Sequence, residues 1–274
     1  MPALASLRGL AALVTGASSG IGRELALRLA REGARVALVA RRESELESVA
    51  AEVRAAGSEA LVLPCDVGDR ASAEAAARRA EERFGGIDLL VNNAGYGGHR
   101  RFLDWDVDDM ERMLRVNYLG AVYFTKILAP AMAARGRGWL VFVASVAGRI
   151  ATPEESAYAA SKFALVGLAS ALDVELEEAG VHVLTVCPGV IRTPFFDAET
   201  LERMPPVARR GMVEVDGLVD AMLQALARGR RRLTYPRGIA AGYVVQALAP
   251  EFMRKQVKRT TIDATAKARR QPNR

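Results

Sequence analysis

The chain has 274 residues, half of them hydrophobic, with a formal net charge of +6 and two cysteines and two histidines. That size suits one large α/β domain with a proper core. Cys65 and Cys187 each close an apolar run, which points to buried free thiols and excludes a disulfide framework, and with His99 and His182 so far apart a Cys/His metal cluster is excluded too.

In chain order, MPALASLRGL lacks the apolar core of a leader and runs straight into a first strand, LAALVT at 10–15. GIGRELALRLAREG (20–33) has helical periodicity, with Ile21, Leu25 and Leu29 on one stripe and Gly33 at its end. RVALVA (35–40) is the second strand, 43–57 a helix, ALVLPCD (60–66) the third strand and 71–85 a helix. IDLLVNNAG (87–95) reads as strand plus turn, and 107–136 as one long helical stretch with Pro130 inside it. WLVFVASVAG (139–148) is the fifth strand, 156–180 a long helix, VHVLTVCPG (181–189) the sixth strand, 215–229 a helix and RRLTYP (231–236) a short seventh strand. No stretch reaches the roughly 18 apolar residues of a membrane span. A cytoplasmic location is therefore expected.

The strands are near-continuous apolar runs, as in strands buried on both faces. Their alternation with helices predicts a Rossmann-type, doubly wound α/β fold around a seven-stranded, mainly parallel sheet. We read 1–236 as one such domain and 237–274 as a C-terminal extension, apolar first and then basic.

TGASSGIGR (15–23) stands between the first strand and first helix, with Gly16, Gly20 and Gly22 spaced G-x-x-x-G-x-G. Glycines there permit a tight turn and close approach to a pyrophosphate, and the helix N-terminus offers free N–H groups to it. An ordinary glycine-rich turn has the same composition. A nicotinamide cofactor without a 2′-phosphate meets an acid at the end of the second strand. Here Ala40 stands in that place, followed by Arg41 and Arg42. A guanidinium suits a 2′-phosphate where an acid repels it. Arg23 could add a second cation, and Ser18 or Ser19 a hydroxyl. Alternatively, Arg41 and Arg42 are solvated residues paired with Glu43 and Glu45.

YAASK places Tyr158 and Lys162 one turn apart on a helix face. An ordinary tyrosine titrates near pH 10, too high for acid–base work at neutral pH, and a nearby ammonium lowers that value. Ser145 closes the fifth strand, at the strand end where ligands sit in open α/β sheets.

With these pieces in this order, the chain resembles a short-chain dehydrogenase/reductase to about residue 236. The matches are TGASSGIG, Asp66 in CDV, NNAG at 92–95, Asn117 in RVNYLG, Ser145, YAASK, and CPGV with Thr193 downstream. The resemblance implies Tyr158 as general acid/base, with Lys162 lowering its pKa and binding the nicotinamide ribose. It implies Ser145 as the group orienting the substrate oxygen and Asn117 as holder of a relay water. Gly16, Ser18, Ser19, Gly20, Ile21, Gly22, Arg23 and Arg41 would hold the phosphates of NADP(H). Asp66 and Val67 would contact the adenine. Asn92, Asn93, Ala94 and Gly95 would pack on the adenosine side, and Pro188, Gly189, Val190 and Thr193 on the nicotinamide. The A-R pair resembles NADP-preferring members, and helices bearing Asn117 and Tyr158 form homodimer or homotetramer interfaces in the family.

Phe195, Phe196, Met204, Pro205 and Pro206 follow the sixth strand, consistent either with a lid over a lipophilic substrate or with simple packing. The segment 99–105 is a second expected wall. The extension is expected to cover the substrate cleft. Its basic end, Arg254, Lys255, Lys258, Arg259, Lys267, Arg269, Arg270 and Arg274, is a solvated tail or a surface for anionic lipid or an acidic partner. The basic residues fall outside any nucleic-acid recognition element. The functional reading is an NADP(H)-dependent oxidoreductase on a CH–OH/C=O pair of a hydrophobic small molecule. The alternative is a non-enzymatic, cofactor-bound regulator or scaffold of the same fold.

Overall fold

Continuous apolar runs become strands, and the five central ones have almost no exposed surface. The computed structural model describes residues 4, 6–196, 200–201 and 204–263; Lys267, Arg269, Arg270 and Arg274 of the basic tail lie outside it. Among the described residues, seven strands form one sheet. They are β1 (Ala11–Thr15), β2 (Arg35–Ala40), β3 (Ala60–Pro64), β4 (Leu89–Asn92), β5 (Gly138–Val143), β6 (Val181–Pro188) and β7 (Arg232–Tyr235). Their order is β3-β2-β1-β4-β5-β6-β7 and every pairing is parallel. The order reverses between β1 and β4, and ligands of such sheets bind outside the strand C-termini at that reversal.

Successive strand residues point to opposite faces. Ala12 and Val14 of β1 therefore enter one core, while Ala11 and Leu13 enter the other. The first core is covered by α1 (Gly20–Arg31), α2 (Glu43–Ala55) and α8 (Val215–Ala227). The second is covered by α3 (Arg70–Phe84), α5 (Gly120–Ala134) and α6 (Ser156–Glu175). The stripe read on α1 is real: Leu25 and Leu29 are fully buried. Each contributes roughly 1.5–3 kcal/mol of apolar burial. On α3, Asp69 caps the N-terminus by accepting from Ser72 N at 2.7 Å, and Gly85 closes the helix in the left-handed conformation.

The helical stretch expected at 107–136 is interrupted. It forms α4 (Val107–Leu114), a π turn at Arg115–Leu119 and α5, which runs through Pro130. The π turn carries Asn117 inward, to 1% exposure. The fifth strand stops at Val143 rather than 148. Residues 146–148 form a 3₁₀ turn capped by Ser145, whose Oγ accepts from Ala147 N at 3.1 Å. Contrary to the expectation from apolar runs, α6 is long and apolar enough by composition to cross a bilayer. Its Leu165, Val166 and Ala169 are packed into the second core.

Beyond β6 come the short α7 (Pro206–Arg210) and, after β7, α9 (Ala240–Leu248) and α10 (Pro250–Lys258). The described part of the extension is tied to the sheet. The Arg149 guanidinium lies 5.1 Å over the Tyr243 ring, and Thr234 Oγ1 donates to Tyr243 OH at 3.5 Å.

Candidate active site

A cleft of about 460 Å³ runs along the C-terminal edge of the sheet, over the β1–β4 reversal. At one end is the glycine turn. Gly16 takes φ +67°, which a side chain rarely adopts. A Cβ on Gly22 would stand 2.3 Å from Gly16 O, so this helix turn closes on the loop only without a side chain. Ser19 leads into α1 in extended conformation without a side-chain cap, and no acidic residue occupies the first turn. The helix thus presents uncapped N–H groups and its positive end, the arrangement a phosphate requires. Asn93 fixes the turn from behind: its Nδ2 donates to Thr15 O at 2.9 Å, and its N donates to Thr15 Oγ1, also at 2.9 Å.

Arg41 and Arg42 line the cleft beside Ala40. Arg42 Nη2 donates to Ser18 Oγ at 3.1 Å and approaches Ser19 Oγ at 3.5 Å. Two hydroxyls and a guanidinium are therefore gathered at the end of β2. Arg23 is not with them. Its Nη2 donates to both carboxylate oxygens of Glu52 in α2, at 2.7 and 2.9 Å, and it stands outside the cleft lining. A carboxylate on the neighbouring helix holds it, so the structure does not bring this expected second cation to the Arg42–Ser18 group.

At the other end stand Ser145, Tyr158 and Lys162, all lining the cleft. Lys162 is 3% exposed. Its Nζ donates to Val143 O at 3.0 Å and lies 5.7 Å from the Tyr158 ring centroid. Burial lowers the Lys162 ammonium to about 8, with the charge of Cys187 opposing. Burial pushes the Tyr158 phenol well above its usual range, against a smaller opposing effect from its hydrogen bond with Ser145, and Glu155 and Cys187 add to the rise. Lys162 is not among the groups that shift Tyr158: its ammonium is itself desolvated and turned to a carbonyl. Tyr158 holds its proton firmly at neutral pH.

Of the expected residues, Gly16, Ser18, Ser19, Gly20, Ile21, Arg41, Val67, Asn93, Ala94, Gly95, Ser145, Tyr158, Lys162, Pro188, Gly189 and Thr193 line this cleft. Gly22 lies behind the turn. Asp66 accepts from Gly68 N at 3.0 Å and pairs with Arg112 at 3.3 Å, leaving Cys65 and Val67 on the cleft wall. Asn92 is buried, donating to Thr125 Oγ1 at 3.1 Å. Asn117 sits behind the lining. Its Oδ1 accepts from Tyr96 N at 2.9 Å, and its Nδ2 donates to Tyr96 O and to Ser161 Oγ, each at 2.9 Å. It clamps the NNAG loop to α6.

Val190 lines a second space, an apolar chamber of about 250 Å³ that meets the cleft at Ser145, Tyr158, Gly189, Phe195 and Phe196. Phe195 packs 5.9 Å from Tyr158 and 5.0 Å from Phe196, centroid to centroid. Met204 and Pro205 also line it, as the lid reading expected, while residues 197–199 and 202–203 of that segment lie outside the described residues. Val257, Thr260 and Thr261 of the extension form another part of the wall. Of the 99–105 segment only His99 reaches it; Phe102 and Leu103 are exposed. Thr152 and Glu155 also line the chamber, and sequence reasoning singled out neither. His182 lies elsewhere, with Nε2 3.0 Å from Arg230 O, and both cysteines are buried and free.

A family model described as short chain dehydrogenase matches residues 10–203. The oxidoreductase UcpA of Escherichia coli (strain K12) is 41% identical over 201 residues, covering 73% of this chain and 75% of its own. The ketoacyl reductase HetN of Nostoc sp. is 33% identical over 223 residues, 81% of this chain and 77% of its own. Among solved structures, a short chain dehydrogenase/reductase from Burkholderia phymatum in complex with NAD has a TM-score of 0.82 at 28% identity, covering 90% of this chain and 96% of its own. A metagenomic short-chain oxidoreductase in complex with NADP has a TM-score of 0.71 at 31% identity, covering 83% and 96%.

Proposed function

The chain belongs to the short-chain dehydrogenase family, and on that premise we propose that it is an NADP(H)-dependent oxidoreductase interconverting a lipophilic ketone or aldehyde and its alcohol. One observation carries this reading. Ser145 and Tyr158 stand where a phosphate-suited cleft meets an apolar chamber, with Lys162 beside them.

The residues fit the cofactor: the uncapped start of α1 and the open glycine turn suit its pyrophosphate, and Lys162 its ribose. A bound nicotinamide supplies the hydride. Tyr158 donates its proton to the substrate oxygen as that oxygen gains charge, and Ser145 Oγ hydrogen-bonds the same atom. A phenol that keeps its proton at neutral pH is the form a reduction uses. Lys162, lowered to about 8 but still largely ammonium at neutral pH, stabilises the phenolate that develops at Tyr158.

NADP(H) is favoured over NAD(H) by Ala40 in place of an acid and by the Arg42–Ser18 contact, with Arg41 alongside. The chamber's apolar wall supports a hydrophobic substrate. We read the extension as part of the same domain, closing that chamber. Exposed Val107, Leu114 and Phe163 on α4 and α6 support a homodimer or homotetramer face. Exposed Val244, Leu248 and Phe252 beside Lys255 and Lys258 support a peripheral contact with anionic membrane for an otherwise cytoplasmic enzyme.

The test is a screen of NADPH consumption over ketosteroids, retinoids, 3-ketoacyl thioesters and simple ketones, with NADH in parallel. Turnover of hydrophobic carbonyls with NADPH is expected. Failure of every carbonyl, or a preference for NADH, overturns the corresponding half of the proposal.

A further inference from the structure

The largely apolar chamber carries an ionisable cluster in its wall. His99 Nε2 lies 3.1 Å from Glu155 Oε1, and the two side chains are only 8% and 19% exposed. Thr152 Oγ1 donates to the other oxygen, Oε2. All three residues line the chamber, facing the same space as Phe196 and Met204.

Two loops are tied together to hold this cluster. Arg100 N donates to Glu154 O at 2.8 Å, and Arg101 Nε lies 3.7 Å from Glu154 Oε1. Glu154 takes φ +67°, a left-handed conformation that is strained for a residue with a side chain. The next residue in the chain is Glu155, which leads into α6 three residues before Tyr158. A strained turn therefore delivers a carboxylate to the wall about one helical turn ahead of the proton donor.

Burying a carboxylate in an apolar wall is unfavourable unless its oxygens are paired, and apolar side chains of similar volume would line the space at lower cost. A carboxylate offers about four acceptor sites. His99 and Thr152 engage one oxygen each, and further acceptor capacity stays on both. The result is a fixed carboxylate acceptor inside a chamber lined mostly by apolar side chains.

We propose that Glu155, held by His99 and Thr152, accepts a hydrogen bond from a hydroxyl or N–H group of the substrate. The substrate class is then a hydrophobic ketone or alcohol carrying a second donor, distinct from the oxygen that reacts at Tyr158. This rests on the Tyr158-centred reading above. It makes Glu155 a specificity-determining residue, with His99 and Thr152 as positioning residues.

The probes are 2-decalone, a bicyclic ketone with no second polar group, and a set of hydroxydecalones with the hydroxyl at each position of the distal ring. A site that hydrogen-bonds a substrate hydroxyl discriminates strongly against the analogue lacking it. In the full-length enzyme with NADPH, the best hydroxydecalone should exceed 2-decalone in kcat/KM by about 30-fold or more. Glu155→Leu should bring that ratio to within about threefold, chiefly by improving 2-decalone. Glu155→Gln keeps the shape but replaces one acceptor with an NH₂ donor, and should shift preference toward decalindiones, whose second oxygen only accepts. It decides the matter should Glu155→Leu fail to fold. A wild-type ratio below about threefold for every isomer, or a preference unchanged in both variants, overturns the proposal. The same compounds are titrated calorimetrically into the protein with and without NADPH. Hydroxyl-selective binding without any turnover supports this site while sinking the reductase reading, and turnover without hydroxyl selectivity does the reverse.

Discussion

Arg42→Ala tests how the cleft tells one nicotinamide cofactor from the other. Arg42 Nη2 lies 3.1 Å from Ser18 Oγ, beside the Ala40 that ends β2. A hydrogen bond from a guanidinium to a phosphate oxygen contributes roughly 1.5–3 kcal/mol. The Arg42 side chain is 58% exposed and Glu45 stands 4.0 Å from it. Solvent screening and that competing carboxylate reduce the contribution to about 1–1.5 kcal/mol. NADPH should therefore bind about 5–12-fold more weakly to the variant, whereas NADH, without the 2′-phosphate, should bind within about twofold of wild type. Fluorescence titration of both cofactors at low and high salt reads this directly, and the difference should shrink as salt rises. Equal weakening of NADPH and NADH would refute the reasoning, because Arg42 would then be holding the glycine turn rather than a phosphate. An unchanged NADPH affinity would place the phosphate contact elsewhere.

Gly22→Ala places a Cβ 2.3 Å from Gly16 O and 2.5 Å from Asn93 Nδ2, where backbone leaves no room. It should cost about 1–3 kcal/mol, and each kcal/mol lowers Tm by about 2–4 °C in a chain of this size, with NADPH binding weakened in parallel. Lys162→Met should make the cofactor-free protein more stable at neutral pH and flatten its pH dependence. The folded ammonium titrates at about 8 against an ordinary 10.5. Between those values the unfolded chain binds more protons, so wild-type stability should rise with pH by up to about 1.4 kcal/mol per unit. Urea midpoints from pH 7 to 10 check this, and a wild type no steeper than the variant contradicts the burial assigned to Lys162. Ending the chain at Ala249 removes Val257, Thr260 and Thr261 from the chamber wall. KM for hydrophobic ketones should rise about tenfold or more while NADPH affinity stays within about twofold; unchanged KM values would mean the extension does not close the chamber.

Much of the fold was legible because its signals are local. RVALVA reads as a strand from its apolar run and is one, Arg35–Ala40, to the residue. The π turn at Arg115–Leu119 was not legible, because RVNYL carries no breaker and is continuous with a helical pattern. In the site, most residues named from short motifs line the cleft, but Gly22, Asp66, Asn92 and Asn117 stand behind or beside its lining. Pairings with a distant partner escape such motifs. The pairing of Arg23 was not legible because Glu52, which holds it, lies 29 residues away on another helix. Glu155 went unnoticed because His99, which marks it as part of a cluster, lies 56 residues earlier and only the fold brings the two together; Thr152, three residues before it, gives no signal alone. The acidity of Tyr158 depends on burial, which the Y-x-x-x-K spacing does not encode.

The most direct measurement is the single-turnover rate of NADPH oxidation with a hydrophobic ketone in wild type and in Tyr158→Phe. The substitution removes only the hydroxyl from a ring already packed against Phe195. The rate should fall by about 10²–10⁴-fold while NADPH and ketone dissociation constants stay within about threefold. A rate retained to within about tenfold, with binding intact, would contradict Tyr158 as the proton donor.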